Sequence, residues 1–190
     1  MDTLPCAFCE QPHPRTQLRR DHELDICDHC AHGGAQAAML ARGNTLSVRE
    51  WTTSVHSPNG SQYTVHHLSV AARPRVEFSA TADFSREGML DKLRKLVRRE
   101  IQVGDPLFDD FVFIKTGDRQ ETEALLHHSG AQSTLMELVS RFDRVTLNHG
   151  VVELKKQNIN PIEFGIDGAL AVCALLVHIE RRHDGTAPMS

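Results

Sequence analysis

The sequence predicts an α+β protein: a small N-terminal four-cysteine module ahead of a mostly antiparallel sheet packed with helices. Three observations carry this expectation. Four of the five cysteines fall within the first 30 residues, as Cys6-x2-Cys9 and Cys27-x2-Cys30. Short β-prone runs, including Tyr63–Val70 and Phe111–Lys115, are bounded by turn residues. Other segments carry apolar residues at helical spacing. At 190 residues the chain has room for such a module and one compact core. Its 40% hydrophobic and 24% charged content excludes a disordered, collagen-like or disulfide-scaffold chain. A net charge of −4 advertises neither nucleic-acid nor anionic-membrane binding.

The expected divisions are a metal module at 1–34, a helical linker at 35–49, an α+β domain at 50–185 and a tail at 186–190. The linker is Ala-rich and stops at Gly43-Asn44. Pro58-Asn59-Gly60 reads as a turn before the Tyr63–Val70 strand. Arg75–Ala80 alternates polar and apolar residues and reads as a second strand, with Pro74 at its start. Arg86–Ile101 reads as a helix. Met89, Leu90, Leu93, Leu96, Val97 and Ile101 form its apolar stripe, opposite Arg86, Lys92, Arg94, Lys95, Arg98 and Arg99. Gly104-Asp105-Pro106 ends it, and the Phe111–Lys115 strand follows. Glu121–His128 and Gln132–Phe142 read as helices split at Ser129-Gly130. Val145–Leu147 and Val151–Leu154 flank Asn148-His149-Gly150, a hairpin signal. The last element is a buried helix over Glu163–Arg182.

The N-terminal residues MDTLPCAFCE contain neither the basic nor the apolar region of a signal peptide. A reducing, cytoplasmic setting is therefore expected, where paired CxxC motifs point to metal before disulfide. The apolar run Gly168–Ile179 is too short to span a bilayer.

Cys6, Cys9, Cys27 and Cys30 are the candidate metal ligands. Each CxxC turn places two sulfurs on one side of a tight loop. The 17 residues between the pairs can form a hairpin that returns the chain to the first pair. Four thiolates at about 2.3 Å close a tetrahedral shell around structural Zn2+, with no position left for a reacting water. In its CAFC and CDHC motifs the segment over residues 4–34 resembles zinc-ribbon and treble-clef modules. It departs from them in having no Gly directly after either pair, though Gly33-Gly34 follow closely. The residues themselves leave ribbon and treble clef open. Nearby His13, His22, His29 and His32 read as surface residues, because four sulfurs already complete the shell.

The segment GDPLFDDFVFIKT, 104–116, is similar to a GDPxFDxxF-type segment of uncharacterised bacterial α+β domains, some in membrane-anchored proteins. That resemblance extends loosely over 85–155 and implies a fold without an activity. Asp105, Asp109 and Asp110 lie just before an apolar strand; adjacent strand residues point to opposite faces, so Asp109 and Asp110 would not share a site, and Asp105-Pro106 reads as turn chemistry. The pairs His66-His67 and His127-His128 diverge on their elements. Cys173 and His178 lie about 140° apart on a helix, so Cys173 reads as a small buried hydrophobe.

The function expected from these readings is a non-enzymatic zinc-binding adaptor that contacts protein. Residues 1–32 hold three Arg against six carboxylates, which disfavours nucleic acid at the module. The alternative is a nucleic-acid-associated regulator using Arg15, Arg19 and Arg20 with the basic helix at 86–99, where Arg94, Lys95, Arg98 and Arg99 would meet phosphate. A third is an enzyme with a carboxylate/His site near Asp105 and Asp109.

Overall fold

The structure is a computed structural model and describes residues 2–86 and 101–183. It is an α+β fold. β1 (Thr3–Pro5) and β2 (Pro12–Pro14) pair across the first CxxC. β3 (Leu18–Asp21) and β4 (Leu24–Cys27) form the hairpin that leads to the second. A wide helical turn, Cys30–Gly34, runs into α1 (Ala35–Ala41). Six strands then make one antiparallel sheet: β5 (Thr45–His56), β6 (Gln62–Arg73), β7 (Ala82–Arg86), β8 (Val112–Thr116), β9 (Arg144–Asn148) and β10 (Val151–Asn158), in the spatial order β5-β6-β10-β9-β7-β8. The helices are α2 (Pro106–Phe111), α3 (Arg119–Leu126), α4 (Ser129–Arg141) and α5 (Gly165–His183).

Strand alternation builds the sheet's inner face. Leu68, Val70, Ala72, Phe84, Val112, Ile114, Val145, Leu147, Val152 and Leu154 are buried there, and charged neighbours such as Asp83, Lys115 and Lys155 turn outward. α4 and α5 cover that inner face. Leu170 to Glu180 of α5 are buried without interruption, as expected for a helix apolar on every side. The buried apolar cluster runs continuously from Cys6, Phe8, Leu24 and Ile26 through α1 to α5 and the sheet. The residues around the cysteines thus share one core with the rest of the described chain.

Several elements differ from the sequence reading. Residues 45–49, expected at the end of a linker, are the first part of β5. Residues 75–80, expected as a strand, form no strand. β6 instead runs on to Arg73, and the next strand begins at Ala82. Alternation alone does not identify a strand when no neighbour takes up its hydrogen bonds. The three aspartates also fall differently. Asp105 caps α2, its carboxylate accepting from the Leu107 and Phe108 N–H groups at 2.9 and 3.3 Å. Asp109 and Asp110 lie within that helix, which runs directly into β8, so they precede the strand but do not alternate as strand residues. The expected helix at 86–101, with Arg94, Lys95, Arg98 and Arg99, lies outside the described residues except at its ends. The β9–β10 turn follows its expectation, with His149 and Gly150 at φ 45° and 77°.

Candidate metal centre

The four Sγ atoms of Cys6, Cys9, Cys27 and Cys30 lie within 4.8 Å of one another. Cys9 and Cys27 are 3.9 Å apart at sulfur, close to the edge of about 3.8 Å that a tetrahedron of ~2.3 Å metal–sulfur bonds requires. Three short elements bring them together. The turn between β1 and β2 carries Cys6 and Cys9, and its Glu10 N–H donates to the Cys6 carbonyl at 2.9 Å. β4 ends on Cys27, whose N–H points at the Cys6 sulfur, 3.4 Å away. Cys30 sits in the first helical turn beyond β4. His32 and Gly33 then break the regular helix, with Gly33 at φ 114°.

Glu10 occupies the position directly after the first pair. It holds a left-handed φ of 58°, a conformation that costs a residue with a side chain about 1–2 kcal/mol. Its carboxylate offsets part of that cost by pairing with Arg42 at 3.0 Å and Arg75 at 3.2 Å. The glycine absent from the sequence pattern is thus replaced by a strained glutamate tied down by two cations.

The thiols do not ionise independently. Burial opposes ionisation of Cys6, but the backbone N–H groups of Cys27, Cys9 and Phe8 outweigh it and bring that thiol down to about 7. Burial, followed by repulsion from the neighbouring sulfurs, pushes Cys9 and Cys30 up. Four sulfurs at these distances can all be thiolates only with a cation between them. The donor set and its spacing therefore fit a thiophilic metal ion. His13 approaches from outside, with Nε2 at 3.9 Å from the Cys9 sulfur. His32 turns away, Nδ1 meeting the Asp28 carbonyl at 2.7 Å.

Sequence reading missed the apparatus behind the sulfurs. Arg42, at the end of α1, donates through Nη1 to the carbonyls of Ala7 and Phe8, at 2.7 and 3.2 Å, inside the first CxxC turn. Its Nη2 pairs with Glu180 of α5 at 2.8 Å. Glu180 is buried and also accepts from the Asn44 amide, the Arg75 N–H at 3.1 Å and the Arg75 Nε at 3.3 Å. One guanidinium thus links the cysteine loop to the central helix. No local pattern marks partners 138 residues apart.

The β3–β4 tip docks on α5 and on α4 beside it. The His22 carbonyl accepts from the His178 Nε2 at 3.0 Å, and the Glu23 carboxylate accepts from Ser129 Oγ at 2.6 Å. His22 Nε2 lies 3.5 Å from Glu137. So His22, expected at the surface, is an interface residue, with a side chain only 8% exposed. Burial lowers His178 to about 4, so it is neutral at pH 7. Burial likewise raises Cys173 to about 12, in keeping with an inert buried thiol. Gly130 is the contact point on α4, where a Cβ would collide with the His178 ring.

The remaining candidates stay apart from the sulfurs. Arg19 and Arg20 pair with Asp21 and Asp25 at 3.1 and 3.6 Å, and Arg15 is exposed. Asp105 caps α2, and Asp109 accepts from the Val103 and Gly104 N–H groups at 3.0 and 3.1 Å. His67 stacks on Trp51, and its Nε2 meets Thr53 Oγ1 at 2.7 Å. Among the described residues no helix is long and apolar enough to cross a membrane. No protein-family model, curated protein or solved structure matches this chain.

Proposed function

We propose that this chain is a non-enzymatic zinc-binding adaptor whose Cys6, Cys9, Cys27 and Cys30 hold one structural Zn2+. The convergence of four sulfurs within 4.8 Å carries the reading. Four thiolates saturate a tetrahedral ion, so it would have no open position for substrate or water and would serve to fold the segment. The order of elements supports a treble-clef arrangement over a ribbon. A CxxC turn comes first, then a hairpin, then a helix whose first turn carries the last ligand. The sulfurs face inward, and the exposed Arg15, Arg19, Arg20, Glu23 and Asp28 give the surface around them both signs of charge, suited to a protein partner.

Native mass spectrometry with elemental analysis tests the metal. One zinc per chain is expected, lost with Cys27→Ser. Iron or no metal would overturn the assignment. Affinity capture from a lysate with intact and Cys27→Ser chains tests the adaptor role, with one partner expected to be lost in the variant.

A further inference from the structure

The register of the sheet puts three cations in one line across its outward face. Arg49 on β5 lies opposite Ser69 on β6, Ser69 lies opposite Lys155 on β10, and Lys155 lies opposite Arg144 on β9. Lys155 and Arg144 are thus like charges set face to face, an arrangement that costs stability. The same face carries Arg73, opposite Thr45, and Lys115, opposite Asp83. Among the described residues it sets only two carboxylates against these cations. Asp83 pairs with Arg144 at 2.9 Å and Glu153 with Lys155 at 3.5 Å. Arg49, Arg73 and Lys115 are exposed and have no acidic partner among the described residues. The net charge of −4 for the whole chain hides this local excess. A cleft of about 420 Å³ opens over β7–β10, where Lys115, Arg144 and Lys155 stand among Thr81, Thr146 and Asn148. In the row beside the cations, Trp51 lies opposite His67 and their rings stack, 5.0 Å between centroids and 6° between planes. Trp51 is still 38% exposed. The Arg49 guanidinium rests over the indole at 5.5 Å. Arg49 is itself exposed, so a flat ring can displace it and leave the guanidinium to meet a phosphate.

We propose that this face binds single-stranded nucleic acid, with phosphates along the Arg49–Lys155–Arg144 line and in the Lys115 cleft, and bases against Trp51 and His67. Charge and rings together select the occupant. The cation line crosses four strands, about 14 Å at ~4.8 Å per step, so the matching negative charges must be spread along a chain. A phosphate backbone supplies them and offsets the cost of holding Lys155 against Arg144. The aromatic row then separates a single strand from other polyanions. Unpaired bases present flat faces to Trp51, whereas a duplex keeps its base faces within the stack, and an acidic peptide or anionic lipid has no base to offer.

Fluorescence anisotropy of a labelled oligothymidylate of about 15 nucleotides, titrated with the full chain at about 50 mM salt, measures the binding. Trp51 is the chain's only tryptophan, so quenching of its emission by the oligonucleotide reports where the bases sit. Binding with quenching is expected. Affinity should fall about twentyfold between about 50 and 200 mM salt, as three phosphate contacts require. Lys155→Glu places a carboxylate opposite Arg144, which gives the fold an ion pair in place of the one it loses, and should weaken binding about tenfold or more. Trp51→Leu should weaken binding about tenfold and leave the salt dependence as it was. No binding at about 50 mM salt overturns the proposal. So does binding that ignores both substitutions. Equal affinity for a duplex of the same length, for polyglutamate or for phosphatidylserine vesicles also overturns it and gives the face to that polyanion.

Discussion

His178 shows how one buried side chain makes stability depend on pH. It faces the His22 carbonyl, with Glu23, His22 and Arg181 as its charged or titratable neighbours. Desolvation holds it at about 4, against an ordinary 6.5. Between these values the unfolded chain binds the proton and the folded chain does not. Stability is therefore fully present above about pH 6.5 and is lost as pH falls toward 4, by up to about 3 kcal/mol from this group. Urea unfolding at pH 7 and pH 5 should show that loss, and His178→Gln should flatten the slope. An unchanged slope would assign the acid sensitivity elsewhere. Arg42 illustrates a different residue-scale economy: a single guanidinium satisfies two loop carbonyls and a buried carboxylate. Neither residue announces this role in the sequence, because each acts through partners more than 130 residues away.

At the scale of elements, legibility follows the range of the forces that shape each one. α4, α5 and the β9–β10 hairpin are legible because helical periodicity and turn chemistry act over a few residues. The four sulfurs are legible because tetrahedral ligation demands the CxxC spacing. The β3–β4 turn is not: His22 and Glu23 take φ of 48° and 59°, values usually left to Asn-Gly, and contacts with α4 and α5 hold them there. β5 was not legible either, because its residues are exposed on both faces and show no alternation of burial. The elements also predict an order of thiol reactivity. In the metal-loaded chain all five cysteines should resist alkylation. A chelator should expose four, whereas Cys173, buried in α5 and raised to about 12, should react only with global unfolding. Counting adducts by mass spectrometry checks this; a fifth adduct at the rate of the other four would contradict it.

For the whole molecule, the shared core changes what metal removal should do. Cysteine spacing alone suggests that chelation would unfold residues 1–34 and spare the rest. In the structure Phe8, Leu24, Ile26 and Met39 are buried in the same cluster as α5. Unfolding the cysteine segment would bare the helix that forms the centre of the fold. Chelation should therefore lower the melting temperature of the sheet itself, by about 10 °C for a loss of ~3 kcal/mol in a chain of this size. Far-UV circular dichroism with and without chelator measures the shift. An unchanged main transition would show that the two parts are energetically independent.

The link from Arg42 to Glu180 also sets a timetable for biosynthesis. The two residues are 138 positions apart. At typical rates of about 5–20 residues per second, the ribosome needs roughly 7–28 s to go from one to the other. For the later part of that interval the cysteines have left the ribosome but their docking helix has not been completed. Metal taken up within that interval would be bound before the carboxylate that anchors the loop exists.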